Sequence, residues 1–144
     1  MTKKSDFYIL SATNMDEVHL FACKLIEKAF HKGHKIFVYC ETEQEAHALD
    51  ELLWSFEPKS FIPHHLQGEG PNAPPPVQIG FGEHASGFND ICINLSQKIP
   101  AFIQQFQRVF EIVPQIEEQK QIKRQHFRYY KEQHYTVQSH TISN

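Results

Sequence analysis

The feature that most restricts the fold is a short apolar run followed by a helical pattern, which occurs twice near the start of the chain. The first run is FYIL at residues 7–10, and apolar residues then recur every three or four positions from about Met15 to Lys32. The second run is KIFVYC at residues 35–40, and the helical pattern after it ends near Trp54. Neither run alternates apolar with polar residues, which is typical of strands covered on both faces. The order strand, helix, strand, helix therefore predicts an α/β fold, with helices packed on a mostly parallel sheet.

Both predicted helices begin with a capping box, in which a small polar side chain and a glutamate three positions later satisfy the first backbone N–H groups of the helix. Asn14 precedes Glu17 by three positions, and Thr42 precedes Glu45 by the same spacing. Gly33 follows the first helical pattern and is a typical C-terminal stop. These local signals predict where each helix begins and where the first one ends.

The rest of the chain continues the same alternation within one domain. Residues 58–76 are rich in loop-forming residues, and their PNAPPP run excludes a helix. Further strands are predicted at 77–81, 90–95 and 108–113, a short helix at 99–106, and a last helix from Ile116 to about Lys131. From about residue 136 the sequence is polar, and we expect a frayed C-terminal tail. We therefore assign residues 1–144 to a single α/β domain, with a mostly parallel sheet flanked by helices.

A nucleotide-binding enzyme is one interpretation of such a fold, but the chain lacks the glycines that a phosphate loop requires. The turn after the first strand reads SATNMDE, which contains no glycine to let backbone N–H groups approach a phosphate. The GEG at residues 68–70 leads into prolines rather than into a helix. We therefore expect no phosphate site, and the α/β nucleotide-binding enzyme remains an alternative.

The ten histidines do not form a recognisable metal site. His31 and His34 are three positions apart, but Gly33 is predicted to end the helix between them. His64 and His65 are adjacent, so their side chains are expected to point apart. The chain has no HExxH motif, no Cys/His quartet and no GxSxG elbow. We expect no metal, no cofactor and no catalytic residue.

Charge and cysteine usage point to a protein of a reducing compartment without strong overall affinity for nucleic acid. Lys and Arg number 14 and Asp and Glu 17, which gives a net charge of −3 with neutral histidines. Cys23, Cys40 and Cys92 each lie in an apolar run, which favours buried free thiols. We see no signal-peptide pattern and no apolar run of membrane-spanning length, so we expect a cytoplasmic protein.

The last predicted helix carries a basic stripe with an aromatic ring in it. The stripe consists of Lys120, Arg124, Phe127, Arg128 and Lys131, which share one face of a helical wheel. Ile122, His126 and Tyr129 fall on the other side and are expected to pack inward. A solvated basic face would explain the cations but not the ring among them. The stripe also suits an acidic peptide with apolar side chains, or direct binding of single-stranded DNA.

An aromatic and aliphatic cluster lies in and beside the loop-rich segment. Its members are Trp54, Phe56, Phe61, Ile62, Pro63 and Leu66. The cluster can be a small satellite core beneath the loop. It can equally be a docking patch, because Trp and other large aromatic side chains dominate the energetics of protein interfaces. The sequence pattern alone leaves both interpretations open.

Several segments of the chain match a known family in order. They are FYIL, GHKIFVYCETEQEAHALDELLW, SFIPHHLQGEGP, PVQIGF, DICINL, FEIVP and KRQHFRYYK. Together they resemble the chi subunit family of bacterial DNA polymerase III holoenzyme. The most specific part is LDELLW followed by SFIPHHLQGEGP. The resemblance implies a non-enzymatic accessory protein of the clamp-loader complex, with a Rossmann-like α/β fold that lacks a nucleotide site.

The resemblance also implies two partners and the residues that contact them. One partner is the psi subunit, which links the chain to the clamp loader, through Trp54, Phe61, Pro63 and Leu66. The other is the acidic C-terminal tail of single-stranded DNA-binding protein, through Val113, Lys120, Arg124, Phe127 and Arg128. Any contact with DNA would then be indirect. Position 127 holds Phe where the resemblance leads us to expect Tyr, so the apolar contact is kept while a hydroxyl is lost.

Overall fold

A computed structural model of the chain describes residues 2–57, 59–68, 75–85 and 87–142. The first half contains β1 (Lys4–Ile9), α1 (Met15–His31), β2 (Ile36–Tyr39), α2 (Glu43–Ser55), β3 (His64–Leu66) and β4 (Val77–Gly80). The second half contains β5 (Ile91–Asn94), a 3₁₀ helix (Ala101–Gln105), β6 (Arg108–Val113), α3 (Glu117–Glu132) and β7 (Thr136–Thr141).

The strands of the described residues form one sheet in the order β3-β4-β2-β5-β6-β1-β7. Every neighbouring pair in this sheet is parallel. The predicted α/β class with a mostly parallel sheet is therefore confirmed. Because parallel neighbours need crossover connections, the helices between strands come to lie on the faces of the sheet.

Helices cover both faces of the sheet, so the core has two halves. α1 and α2 pack on one face, and α3 packs on the other together with the 3₁₀ helix. Val18, Ala22, Leu25 and Ile26 of α1 are buried at the three- and four-residue spacing of one helix face. All four residues of β2 are buried, as the lack of alternation in its sequence predicted.

The side chains of Asn14 and Thr42 accept the N-cap hydrogen bonds that the sequence predicted. The Glu17 backbone N–H donates to Asn14 Oδ1 at 3.0 Å, and the Glu45 backbone N–H donates to Thr42 Oγ1 at 3.1 Å. Gly33 follows α1 with φ of +88°, a left-handed conformation that glycine adopts without strain. The predicted helix boundaries agree with α1 and α2 to within one residue.

The prediction of a frayed tail from residue 136 is wrong for Thr136–Thr141, which form β7. This strand pairs in parallel with β1 over its full length, from Lys4 opposite Thr136 to Ile9 opposite Thr141. An edge strand is held by backbone hydrogen bonds on one side and faces solvent on the other, so it tolerates a polar sequence. Residues 143 and 144 lie outside the described part of the chain.

Two further predictions need correction. His64–Leu66, placed in a loop-rich segment, form the short edge strand β3 beside β4. The short helix predicted at 99–106 is a 3₁₀ helix at Ala101–Gln105, bounded by Pro100. Most of the PNAPPP run and the last two residues of GEG fall outside the described residues.

Candidate functional site

A cavity of about 290 Å³ lies between α3 and the ends of strands β1, β6 and β7. Its lining consists of Phe7, Ile9, Val113, Gln115, Lys120, Lys123, Arg124, Phe127 and Ser139. We call this space the α3 cavity. Val113, Lys120, Arg124 and Phe127 were all expected at a peptide-binding site, and the structure brings these four together. Arg128 is exposed on the same helix but is not part of the lining.

The Phe127 ring forms an apolar wall of the α3 cavity. It packs edge-on against Phe7 of β1, with ring centroids 5.2 Å apart, and is half-buried. Lys131 Nζ lies 5.7 Å from the Phe127 centroid, within cation–π range. Phe127 therefore has a packing role on the sheet and still offers a face to the cavity.

The inward face of α3 differs in part from the predicted one. His126 is buried as predicted, whereas Ile122 and Tyr129 are half-buried. Lys123 and Tyr130, which the sequence reasoning missed, are the other buried residues of α3. A buried lysine requires a buried partner, because an unpaired charge in the core is strongly unfavourable.

That partner is Glu111 of β6, whose side chain is fully buried. Its Oε1 accepts from Lys123 Nζ at 2.7 Å and from His126 Nδ1 at 3.1 Å. Its Oε2 accepts from Tyr130 Oη at 2.7 Å and from Asn94 Nδ2 at 3.0 Å. We call these five side chains the Glu111 cluster. They fix α3 on the sheet through both carboxylate oxygens.

The pKa of Glu111 reflects a balance between burial and pairing. Burial by itself would raise this pKa, but the charges of Lys123 and His126 and their hydrogen bonds lower it to about 2. Burial, and after it the charge of the same carboxylate, raise the pKa of Tyr130 well above its usual value, so Tyr130 remains a hydrogen-bond donor. A sequence signal for this cluster existed, since a glutamate in the middle of the apolar strand RVFEIV needs buried partners.

The Glu111 cluster decides which cations of the α3 cavity can reach a ligand. The Lys123 ammonium is directed at Glu111, and this residue is 4% exposed. Lys120 keeps a third of its side-chain surface exposed, with a weak contact of 3.9 Å to Glu117. Arg124 is exposed. The cavity therefore offers an anion two accessible cations, beside an apolar floor.

The aromatic cluster of the loop-rich segment divides into a buried part and an exposed part. Ile62 and Leu66 are in the core, at 2% and 5% exposure. Trp54 and Phe61 are 49% and 69% exposed, with ring centroids 5.8 Å apart, and we call this pair the aromatic patch. Pro63 is half-buried beside it. Of the four residues expected to contact psi, Leu66 can therefore only support the surface from beneath.

The carboxyl ends of the central strands, where α/β enzymes bind nucleotides, carry acidic side chains here. Glu41, just after β2, accepts from the Gln97 backbone N–H at 2.7 Å. Glu45 accepts from His19 Nε2 at 2.8 Å, and both glutamates line the crevice between α1 and α2. Carboxylates in these positions repel phosphate. The local chemistry therefore argues against a nucleotide site.

Cysteine and histidine chemistry gives no further site in the described ranges. The three cysteines are buried and free, and burial raises the pKa of the Cys23 thiol to about 12. Burial likewise raises the pKa of Cys92. Across residues 2–57, 59–68, 75–85 and 87–142, no group of three or more His, Cys, Asp or Glu side chains is arranged to hold a metal ion. None of the helices found there has the length and apolarity needed to cross a bilayer.

Comparison with known proteins gives a consistent result over nearly the whole chain. Residues 1–138 match the family model described as DNA polymerase III chi subunit, HolC. DNA polymerase III subunit chi of Pseudomonas aeruginosa is 37% identical over 137 residues, covering 95% of each chain. The Haemophilus influenzae subunit is 36% identical over 115 residues, covering 79% of this chain and 80% of its own. The Escherichia coli subunit is 31% identical over 134 residues, covering 90% of this chain and 91% of its own.

Proposed function

This chain belongs to the DNA polymerase III chi subunit family, and from that membership we propose that it is a non-catalytic adaptor of the replication machinery. It has two binding surfaces, the α3 cavity and the aromatic patch. The observation that carries the proposal is the α3 cavity, where accessible cations surround an apolar floor. Such an adaptor works in the cytoplasm, close to the nucleoid.

The α3 cavity binds the acidic C-terminal tail of single-stranded DNA-binding protein. The guanidinium of Arg124 and the ammonium of Lys120 pair with tail carboxylates, since charge-assisted hydrogen bonds are the strongest available to a surface. Phe7, Val113 and Phe127 receive an apolar side chain of the tail. Arg128, one turn further along α3, extends the cationic surface beyond the lining.

Binding at this surface is salt-sensitive and reversible. Both accessible cations are at the rim of the cavity, where ions screen charges over about 8 Å at physiological ionic strength. The apolar floor is less affected by salt, so part of the affinity persists. An adaptor with these properties can release one coated DNA segment and capture the next.

The aromatic patch pairs with the psi subunit, which connects the chain to the clamp loader. Trp54 and Phe61 account for two of the three exposed large apolar side chains in the described residues. Clustered aromatic rings of this kind are the usual anchors of a stable interface. His64 lies beneath Trp54, with ring centroids 4.1 Å apart, so the indole packs against a buried side chain.

The two surfaces lie at opposite ends of one sheet. The aromatic patch adjoins β3, at one edge, and the α3 cavity adjoins β7, at the other. Six strand spacings of about 4.8 Å place these edges about 29 Å apart. Both partners can therefore be held at once, without competing for the same residues.

The proposal is tested by asking whether one chain holds both partners simultaneously. The affinity of a fluorescently labelled tail peptide is measured for the free chain and for its purified complex with psi. We expect the two dissociation constants to agree within about twofold, because the surfaces share no residue. Displacement of psi by the peptide, or failure of either partner to bind, would contradict the adaptor.

A further inference from the structure

A second and larger cavity, of about 450 Å³, lies on the sheet face opposite α3. It is a groove between α1 and strands β6, β1 and β7, and its cationic and ring-bearing lining residues are Lys24, Lys28, Lys32, His34, Arg108, His140, Tyr8, Phe21 and Phe110. We call it the lysine groove. It shares no lining residue with the α3 cavity or the aromatic patch.

Three lysines form one wall of the lysine groove. Lys24, Lys28 and Lys32 follow one another at four-residue intervals, so they lie about 6 Å apart along the axis of α1. All three are exposed. None of them is within ion-pair distance of a carboxylate among the residues that the structure describes. Their charges are therefore available to a ligand.

The opposite wall contains Arg108 and His140, which share one carboxylate partner. Asp6 is 2% exposed and accepts from Arg108 Nε at 2.9 Å and from His140 Nε2 at 2.8 Å. At the end of the groove, Asp90 accepts from His34 Nδ1 at 3.0 Å. Asp6 and Asp90 are thus engaged by Arg108, His140 and His34 rather than by the three lysines.

Aromatic rings form the floor of the groove. Tyr8 contacts Phe21 and Phe110, with ring centroids 5.6 and 5.4 Å away, and stacks on the His140 ring at 5.0 Å. Tyr8 and Phe21 are half-buried, so part of each ring borders the groove. Rings beside a cationic wall match the two components that nucleic-acid strands present, flat bases and a charged backbone.

We propose that the lysine groove binds single-stranded DNA directly, with the backbone along the three lysines and a base against Tyr8 or Phe21. A repeating polyanion fits a row of evenly spaced ammonium groups, which act as point charges and demand no fixed ligand geometry. An acidic peptide is favoured less, because the unpaired cations of the wall are lysines, whereas the arginine of the lining, Arg108, already pairs with Asp6 through its Nε. The inference rests on the family's place in DNA polymerase III, not on the tail or psi surfaces proposed above.

The test is fluorescence anisotropy of a labelled oligothymidylate of about 12 nucleotides, titrated with the full chain over a range of salt concentrations. The groove variant is Lys24→Glu/Lys28→Glu, and the control is Lys120→Glu/Arg124→Glu, which makes the same charge change on α3. We expect the groove variant to bind at least tenfold more weakly, and the control to lose less than threefold. Loss of two phosphate contacts should also reduce the slope of log K against log salt by about 1.4.

Photocrosslinking locates the bound oligonucleotide without any change to the charges of the chain. An oligonucleotide containing 5-iodouracil should crosslink to Tyr8 or Phe21, and mass spectrometry of the digested chain would identify the peptide. The inference is overturned if the unaltered chain does not bind the oligonucleotide, or if both variants lose affinity equally. It is also overturned if thymidine monophosphate competes as well as the oligonucleotide does. The same conclusion follows if an acidic peptide displaces the DNA from the unaltered chain but not from the control variant, because the DNA would then lie on α3.

Discussion

The Lys123 ammonium lies 2.7 Å from a Glu111 carboxylate oxygen, and both side chains are buried in the core. The pair joins the inward face of α3 to β6, and α3 in turn forms one wall of the α3 cavity. A buried ion pair of this kind adds little stability over a well-packed apolar pair, but breaking it is costly. The α3 wall of the cavity is thus positioned by a contact buried beneath it.

Replacing Lys123 by Met should destabilise the fold by about 3–5 kcal/mol, because it leaves the Glu111 charge buried without its main partner. Urea denaturation measures the change in the free energy of unfolding. The control is Lys120→Met, at an exposed position of the same helix, which we expect to change stability by less than about 0.5 kcal/mol. Adding Glu111→Gln to Lys123→Met should recover much of the loss. Equal stability of the two single lysine variants would contradict the pairing.

Acid should weaken the fold through Glu111. Its folded-state pKa of about 2 lies below the ordinary value of 4.5, so the ionised carboxylate stabilises the folded state above pH 4.5. That contribution is lost as the pH falls from about 4.5 to about 2. The free energy of unfolding, measured by urea at a series of pH values, should decline by about 3 kcal/mol over this window from Glu111 alone. The Glu111→Gln/Lys123→Met variant should decline less, and an identical decline would assign the effect to other carboxylates.

Arg124→Ala should weaken binding of the acidic tail peptide by about 1–3 kcal/mol, through loss of a charge-assisted hydrogen bond at the cavity. Arg128→Ala should cost less, because Arg128 is outside the cavity lining. Isothermal titration calorimetry at two salt concentrations measures the peptide affinity of both variants. A larger loss of affinity for Arg128→Ala would indicate that the peptide binds further along α3, outside the cavity. Unchanged affinity in both variants would contradict binding of the tail to this helix.

Phe61→Ala should reduce affinity for psi by 2 kcal/mol or more, as expected for an aromatic anchor at the centre of an interface. The ring is 69% exposed, so its removal should leave the thermal unfolding midpoint nearly unchanged. Leu20→Ala is the matched control, since Leu20 is another exposed large apolar residue, on α1. Surface plasmon resonance with immobilised psi compares the variants. If Leu20→Ala loses as much as Phe61→Ala, the aromatic patch is not the psi surface.

The elements with strong local signals could be predicted from the sequence, and those held by distant partners could not. Asn14 and Thr42 revealed the starts of α1 and α2 because a cap bonds within four residues of itself. Thr136–Thr141 gave no such signal, because β7 depends on the backbone of β1, more than 130 residues away. Sheet pairing over that distance leaves no pattern in a polar edge strand.

The candidate site shows the same division. Lys120, Arg124 and Phe127 were predictable because they share one helical face. The inward direction of the Lys123 side chain was not predictable from the sequence. Its direction is set by Glu111, which lies on a strand that a helical wheel does not include. The wheel therefore predicted which side of α3 is basic, and the tertiary contacts decided which of its lysines a ligand can reach.

β7 follows every other described element along the chain, yet its Ser139 belongs to the wall of the α3 cavity. During synthesis, the ribosome therefore releases the segment that completes this wall after it has released β1, β6 and α3. A nascent chain that stops before residue 136 therefore lacks Ser139 and the part of the cavity wall that β7 supplies. The α3 cavity is complete only in molecules whose translation has passed this edge strand.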